Sequence, residues 1–163
     1  MKITKYYHKS GDKIIADDVL KNVENALMVI STALKKRCAP DLRLMILDSL
    51  RKVGWSDKVR ISSKRGLTLT ARNGKTALCL QTGNMARFYA DLLKLQAQFV
   101  EDKIASAIYI LPLKAAATQM GENMANYERL TSELKSMFSK VITVPMIVIG
   151  FDEIREGGAK HEV

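Results

Sequence analysis

The stretch TARNGKTALCLQTGN, residues 70–84, has the composition of a β-hairpin. Its Asn73-Gly74 pair favours the tight turn that joins two antiparallel strands, because both residues tolerate the positive φ angles that such a turn requires. The segment KTALCLQ that follows has strand character and leads into a glycine. The stretch therefore predicts two paired strands, and the segments on either side are interpreted around them.

The polar side chains of this hairpin lack the charge that a catalytic metal ion needs. In KTALCLQ, side chains alternate between the two faces of the strand, so Cys79 and Gln81 share one face. Thr68 and Thr70 share a face of the preceding strand and could lie beside them. Mg²⁺ prefers carboxylate oxygens, and a cysteine sulfur is too soft to replace them. Because the hairpin contains no Asp or Glu, it predicts no magnesium site.

Helical patterns precede the hairpin. Apolar residues recur at helical spacing from Asp17 to Lys36, with acidic residues near the start and basic residues near the end, as the helix dipole favours. Asp41 can cap a second helix that ends at Gly54. Residues 1–7 are predicted to form an edge strand or an extended arm.

Strand patterns begin at Trp55, and strands then alternate with helices. Besides the hairpin, the patterns predict strands at 57–63, 67–71, 105–113 and 144–151, and helices at 83–102 and 113–138 with a break near Gly121. An antiparallel region that leads into alternating strands and helices predicts an α/β protein with a mixed sheet and helices on both faces.

Length and charge limit the classes of function. The chain has 163 residues, which predicts one domain over residues 1–152, followed by a polar, flexible tail over 153–163. The net charge of +9 favours an anionic partner such as nucleic acid, although a solvated basic surface is the alternative. No apolar run is long enough to span a membrane, and no secretory signal is expected. The two cysteines are expected to be reduced thiols in a cytoplasmic protein.

Basic residues cluster on and around the hairpin. We interpret them as contacts to DNA phosphates, while exposed turns that are basic for solubility are the alternative. The start of a helix also attracts phosphate, although an asparagine there can act simply as an N-cap. Residues 35–37 form a second basic group, which either contacts phosphate or is a solvated basic surface. The predicted contacts are Lys58, Arg60, Lys64, Arg65, Arg72, Lys75, Asn84 and Arg87.

An ordered set of segments resembles one family of nucleases. These segments are MKI…YYHKSGDKII…VLKNVENAL at the start, GW before the strands, QTGNMARFYADLLKLQ after the hairpin, then ANYERLTSEL and VPMIVIG. Over about residues 1–152 the sequence is similar to BglII/BamHI-type restriction endonucleases, in particular to the BglII branch. The resemblance implies a restriction-endonuclease-like α/β core, and a homodimer acting on double-stranded DNA.

The same resemblance implies a site for Mg²⁺ in the hairpin. In that family the hairpin carries an Asp and, nine residues later, the Glu of a Glu-x-Gln triplet. On this chain the Asp position is Thr70 and the Glu position is Cys79, and only Gln81 matches. The resemblance therefore predicts a degenerate site with no catalytic residue, no metal and no cofactor.

Three hypotheses follow for the function. In the first, a catalytically degenerate protein binds double-stranded DNA as a repressor, a shield or an accessory factor of a mobile element or defence system. In the second, Glu24 or Asp91 replaces the missing acids, and the protein is an active nuclease that uses Mg²⁺; Asp91 is otherwise expected to face solvent or to cap an interaction, and Glu24 to be solvated. In the third, the scaffold is an interaction module that pairs with or blocks a nuclease.

Overall fold

The computed structural model describes residues 1–62 and 64–153. Its main sheet consists of β1 (Lys2–His8), β4 (Ala71–Asn73), β5 (Thr76–Leu80), β6 (Ser106–Pro112) and β7 (Met146–Asp152). The strand order is β1-β7-β6-β5-β4. The three central strands are parallel, and β1 and β4 pair antiparallel at the two edges. The predicted α/β fold with a mixed sheet and an antiparallel hairpin is confirmed.

A short antiparallel ribbon and six helices complete the described part of the chain. The ribbon consists of β2 (Val59–Arg60) and β3 (Thr68–Leu69). The helices are α1 (Gly11–Ile14), α2 (Asp17–Met28), α3 (Ala39–Lys52), α4 (Ala86–Val100), α5 (Lys114–Met120) and α6 (Tyr127–Lys135). None of the described helices is long and apolar enough to cross a membrane.

The core lies on both faces of the sheet, because side chains alternate along each strand. Leu78 and Leu80 of β5 pack into the cluster that α2, α3 and α5 cover. Ala77 and Cys79 point to the opposite face, where Phe88 of α4 and residues of α6 cover them. Every residue of β6 is buried, as expected for a parallel strand with helices on both sides.

Helix α2 ends at Met28, so the helix predicted from Asp17 to Lys36 is too long. The next residues, Val29 to Thr32, are β-branched residues and a serine, which are weak helix formers. Ile30 and Leu34 are nevertheless buried, at 6% and 5% exposure. Their helical spacing arose because both side chains are buried, although the segment that carries them is irregular.

The second helix begins earlier than predicted. Helix α3 starts at Ala39, with Pro40 in the first turn, where a missing N–H costs nothing. Asp41 therefore lies inside the first turn and does not cap the helix. The hairpin turn is also displaced by one residue, because Asn73 pairs with Thr76 across Gly74 and its neighbour.

The strand predicted over 67–71 is divided at Thr70, and the strand predicted over 57–63 is reduced to β2. The Thr70 hydroxyl explains the division, because it accepts the hydrogen bond of the Leu80 N–H at 3.0 Å. A side chain thus takes the place of a backbone carbonyl in the ladder. The chain leaves the ribbon and enters the main sheet at this point.

Other predictions are confirmed within the described residues. Residues 2–7 fall in the edge strand β1, and the later helices and buried strands lie where the patterns placed them. The helical segment 113–138 is broken at Gly121. Of the tail predicted over 153–163, residues 154–163 lie outside the described residues. The single domain over 1–152 stays a prediction.

Candidate nucleic-acid interface

A cleft of about 360 Å³ opens beside the division in the hairpin. It lies where the β2–β3 ribbon, the C-terminal end of β5, α3 and α4 meet. Four of its side chains are cationic and one is a carboxylate. Its polar side chains include Arg43, Lys58, Thr70, Gln81, Arg87, Asp91 and Lys94.

Three side chains hold the Asp91 carboxylate. Lys94 lies 2.6 Å from Oδ1. Gln81 and Tyr109 donate hydrogen bonds to Oδ2 at 2.9 and 3.0 Å. Burial, and after it the charge of Asp91, raises the pKa of Tyr109 well above its usual value, so the phenol keeps its proton and stays a donor. Both carboxylate oxygens are therefore engaged inside the protein.

The Arg43 guanidinium enters the cleft from α3. Its Nη1 donates to the Leu80 carbonyl, and its Nη2 lies 3.5 Å from Thr70 Oγ1. Burial lowers the pKa of Arg43, and the charge of Asp91 opposes this shift. A guanidinium stays protonated in proteins even so. Arg43 therefore places a fixed positive charge between the two strands of the hairpin.

Cys79 lies beneath the cleft and does not line it. Its side chain is 1% exposed and packs with Phe88 and Leu92 in the core. Burial, and after it the charge of Asp91, raises the pKa of the Cys79 thiol. A neutral, buried thiol is neither a nucleophile nor a metal ligand.

The residues of the cleft do not fit a magnesium ion. Mg²⁺ is usually bound through one or two carboxylates that can turn toward it. The single carboxylate of the cleft, Asp91, is already bound by an ammonium group and two hydrogen-bond donors. Residues 1–62 and 64–153 contain no group of three or more His, Cys, Asp or Glu placed to hold a metal.

The sequence model of the family described as "Restriction endonuclease BglII/BglIII" matches residues 3–151. The chain belongs to this family. Comparison with curated proteins gives no match.

Solved BglII structures share the fold of this chain. BglII in complex with a DNA 16-mer superposes with a TM-score of 0.85, at 18% identity, over 96% of this chain and 80% of that chain. Free BglII gives a TM-score of 0.77, at 20% identity, over 96% and 82%. The predicted BglII-like, restriction-endonuclease-like core is thereby confirmed.

The three positions that the family resemblance assigned to the metal site lie close together in this chain. Thr70 and Gln81 line the cleft, and Cys79 lies directly under it. That they form a degenerate catalytic site stays a prediction. Of the predicted basic residues, Lys58 and Arg87 also line the cleft, and both are exposed.

Three other predicted contacts lie on the ribbon outside the cleft. Arg60 belongs to β2, and Lys64 and Arg65 lie in the turn that follows; all three are exposed. All three follow Lys58 within seven residues of the sequence. The basic group at 35–37 lines a separate depression beside α3.

The remaining predicted contacts have intramolecular partners. Arg72 donates to the Lys103 carbonyl at 2.9 Å, and Lys75 donates to the Asp102 carbonyl at 2.8 Å. These bonds tie the hairpin turn to the end of α4. The Asn84 side chain accepts the Ala86 N–H at 2.8 Å just before α4, whose N-cap is Met85, so Asn84 makes a local turn contact and is not the N-cap.

Arg43 and Lys94 also line the cleft, but neither was predicted from the sequence as a site residue. Arg43 is half-buried between the apolar positions of α3, and a cation on such a face was the available signal. Lys94 lies three residues after Asp91, a spacing that brings side chains together on a helix.

The two acids considered as replacements lie in different places. Asp91 was predicted either to face solvent or to cap an interaction. It lines the cleft and pairs with Lys94, which fits the second alternative and not the first. Glu24 lies on α2 and pairs with Lys5 of the edge strand β1. Glu24 is therefore remote from the hairpin.

Proposed function

We propose that the protein binds double-stranded DNA through this cleft and the β2–β3 ribbon, and that it does not cleave the DNA. The observation that carries the proposal is the composition of the cleft. At the positions that the family resemblance assigns to its acids, the chain has Thr70, which lines the cleft, and Cys79, which lies beneath it; the cleft places four cations around one engaged carboxylate. Such a cleft attracts phosphate but cannot assemble the charge that activates water for hydrolysis.

Membership of the BglII/BglIII family and the fold shared with DNA-bound BglII support the DNA-binding part of the proposal. The net charge of +9 supports it as well. The half-buried position of Asp91 supports the absence of cleavage, since its three partners already satisfy both oxygens.

Fluorescence anisotropy with a mixed-sequence duplex, measured in EDTA over a salt series, tests binding. The slope of log K against log salt is about −0.9 for each phosphate that is neutralised, so four contacts give roughly −4 per chain. Incubation of plasmid with Mg²⁺ and with Mn²⁺ tests cleavage, and we expect none. Absence of binding at low salt would refute the proposal and direct attention to a protein partner.

An active nuclease is the second candidate, and the contact between Asp91 and Gln81 favours it. In this case Asp91 would leave Lys94 and provide a metal ligand beside Gln81, the glutamine of the family triplet. Metal-dependent cleavage that disappears in Asp91→Asn would establish this function. Glu24→Ala is the matched control, because Glu24 lies away from the cleft and should leave cleavage unchanged.

We also propose an oligomeric state and a biological role for the protein. A homodimer would present two clefts to one duplex, and sedimentation equilibrium measures whether the chain dimerises. A cytoplasmic protein of this kind would act as a repressor, a shield or an accessory factor of a mobile element or defence system. Selection of bound fragments from random DNA tests the repressor role, which requires a preferred sequence.

A further inference from the structure

The Arg43 guanidinium is a half-buried cation. None of the ion pairs within residues 1–62 and 64–153 includes it, although the charge of Asp91 acts on it across the cleft. Its protein contacts are a carbonyl and a hydroxyl, which engage only part of a group with five N–H donors. Removing a charge from water is costly unless an opposite charge compensates it, so this site is arranged for an anion.

The contacts of Arg43 indicate where in the cleft an anion would bind. The guanidinium contacts Leu80, the residue between Cys79 and Gln81, and approaches Thr70 on the opposite strand. These are the two segments where the family carries its metal-binding acids. This chain thus has a cation of its own at the point where related nucleases require a bound one.

We propose that Arg43 binds a phosphodiester of the DNA backbone directly, without a divalent metal ion. The inference rests on the proposed function and specifies how the cleft binds its ligand. A planar guanidinium can donate two parallel hydrogen bonds to one phosphate, which gives orientation as well as charge. Arg87, exposed at the start of α4, lies on the same cleft and adds a second cation.

Asp91 is the feature that opposes this anion. Its carboxylate lies in the same cleft, where it pairs with Lys94, whose ammonium group also donates to the Thr68 carbonyl at 2.9 Å. A phosphate beside Arg43 would be repelled by Asp91. Substitutions of Arg43 and Asp91 should therefore change DNA affinity in opposite directions.

The test compares variants for duplex binding in EDTA and again with Mg²⁺. We expect wild-type affinity to be the same or weaker with Mg²⁺, since the ion only screens phosphates. Arg43→Ala should weaken binding by about tenfold or more, because a charge-assisted contact is lost. Arg43→Lys should recover part of the loss, since it keeps the charge without the planar fork.

Arg129→Ala is the matched control. It removes the same charge from α6, where the side chain pairs with Glu133 outside the cleft. Its effect on affinity should be less than about threefold, as expected for loss of one screened charge. Urea denaturation followed by the fluorescence of Trp55, the single tryptophan, identifies any variant that fails to fold.

If Arg43→Ala does not fold, Asp91→Asn tests the role of Arg43 instead. The asparagine amide has nearly the shape of the carboxylate but no negative charge, so DNA binding in EDTA should strengthen by several-fold. Weaker binding in Asp91→Asn, or affinity that rises with Mg²⁺, would overturn the inference in favour of a metal site.

Failure of the inference differs from failure of the proposed function. The wild-type protein could bind DNA in EDTA with the expected salt dependence while Arg43→Ala and Asp91→Asn have the same affinity as Arg129→Ala. This result would refute the role of Arg43 and leave the proposed function intact. Absence of DNA binding by the wild-type protein would refute the proposed function itself.

Discussion

Gln81 is fixed at both ends of its amide group. Its Oε1 accepts the Gly83 N–H at 3.0 Å, and its Nε2 donates to Asp91 at 2.9 Å. Because the two ends have different partners, the amide has one orientation in a side chain that is 7% exposed. The sequence identified Gln81 through the family triplet. Its contact with Asp91 depends on how α4 packs against β5, which a single sequence does not give.

The two cysteines should differ in reactivity. Burial raises the pKa of the Cys79 thiol, so little thiolate forms at neutral pH and no reagent reaches it without opening of the core. Cys38 is only partly buried. In a thiol-titration assay we expect one fast and one very slow group, and Cys38→Ser should remove the fast phase. A fast phase that persists in Cys38→Ser would contradict the buried position of Cys79.

His8 should make stability depend on pH. The side chain is 3% exposed, its Nε2 lies 2.7 Å from the Ile142 carbonyl, and burial lowers its pKa below the ordinary value. The unfolded chain therefore binds this proton more readily than the folded protein does. Stability is fully present above the unfolded pKa of about 6.5 and is lost as pH falls through the folded pKa.

Urea denaturation between pH 7.5 and 5.5 measures this effect. The free energy of unfolding of the wild-type protein should fall over that range, and His8→Gln should show a flatter profile. Equal slopes for the two proteins would show that His8 is not the responsible group.

At the scale of elements, the main strands and helices follow from apolar spacing, and the errors have local causes. The end of α2 was misplaced because Ile30 and Leu34 are buried without being helical. The division at Thr70 was missed because a hydroxyl replaces a carbonyl in the ladder, and spacing alone does not report that exchange. Alternation correctly placed Cys79 opposite Leu78 and Leu80.

Gly11 should be intolerant of any side chain. A Cβ atom at this position would lie 2.4 Å from the Met146 carbonyl oxygen and 2.5 and 2.8 Å from the backbone C and N of the same residue. Since backbone cannot move aside like a side chain, Gly11→Ala should destabilise the protein by about 3 kcal/mol or more. Chemical denaturation measures the loss.

Gly121→Ala is the control for that substitution. Its Cβ would make only ordinary contacts at 3.7 Å with the Met124 side chain, and its φ of 163° is available to any residue. The change in unfolding free energy should be less than about 1 kcal/mol. A similar loss in both variants would mean that Gly11 has no special proximity to β7.

At the scale of the whole molecule, the cleft joins residues that are distant in sequence. Arg43 reaches contacts 27 and 37 residues away along the chain. The composition of the hairpin and the family triplet were accessible from sequence, whereas the position of Arg43 between the apolar residues of α3 did not reveal that it enters the cleft. Packing of α3 on the sheet brings it there, and no local pattern encodes that packing.

Duplex DNA should stabilise the protein against heat. A ligand present at about 100 times its Kd adds roughly 2.7 kcal/mol to the stability of the folded state, which corresponds to a rise in Tm of about 5–10 °C for a chain of this size. Thermal melting with and without duplex measures the shift at low salt. The shift should disappear in high salt, and an unchanged Tm at saturating duplex would contradict folded-state binding.

The burial of Cys79 and the position of Arg43 also bear on how such a scaffold changes over evolutionary time. An aspartate replacing Thr70 would meet the guanidinium first, and a glutamate replacing Cys79 would begin in an apolar core. The first acid would be neutralised by Arg43 and the second would be penalised by burial, so neither replacement alone creates a metal site. A metal site of the family's kind would therefore need coordinated change at Thr70, Cys79 and Arg43, which no single mutation supplies.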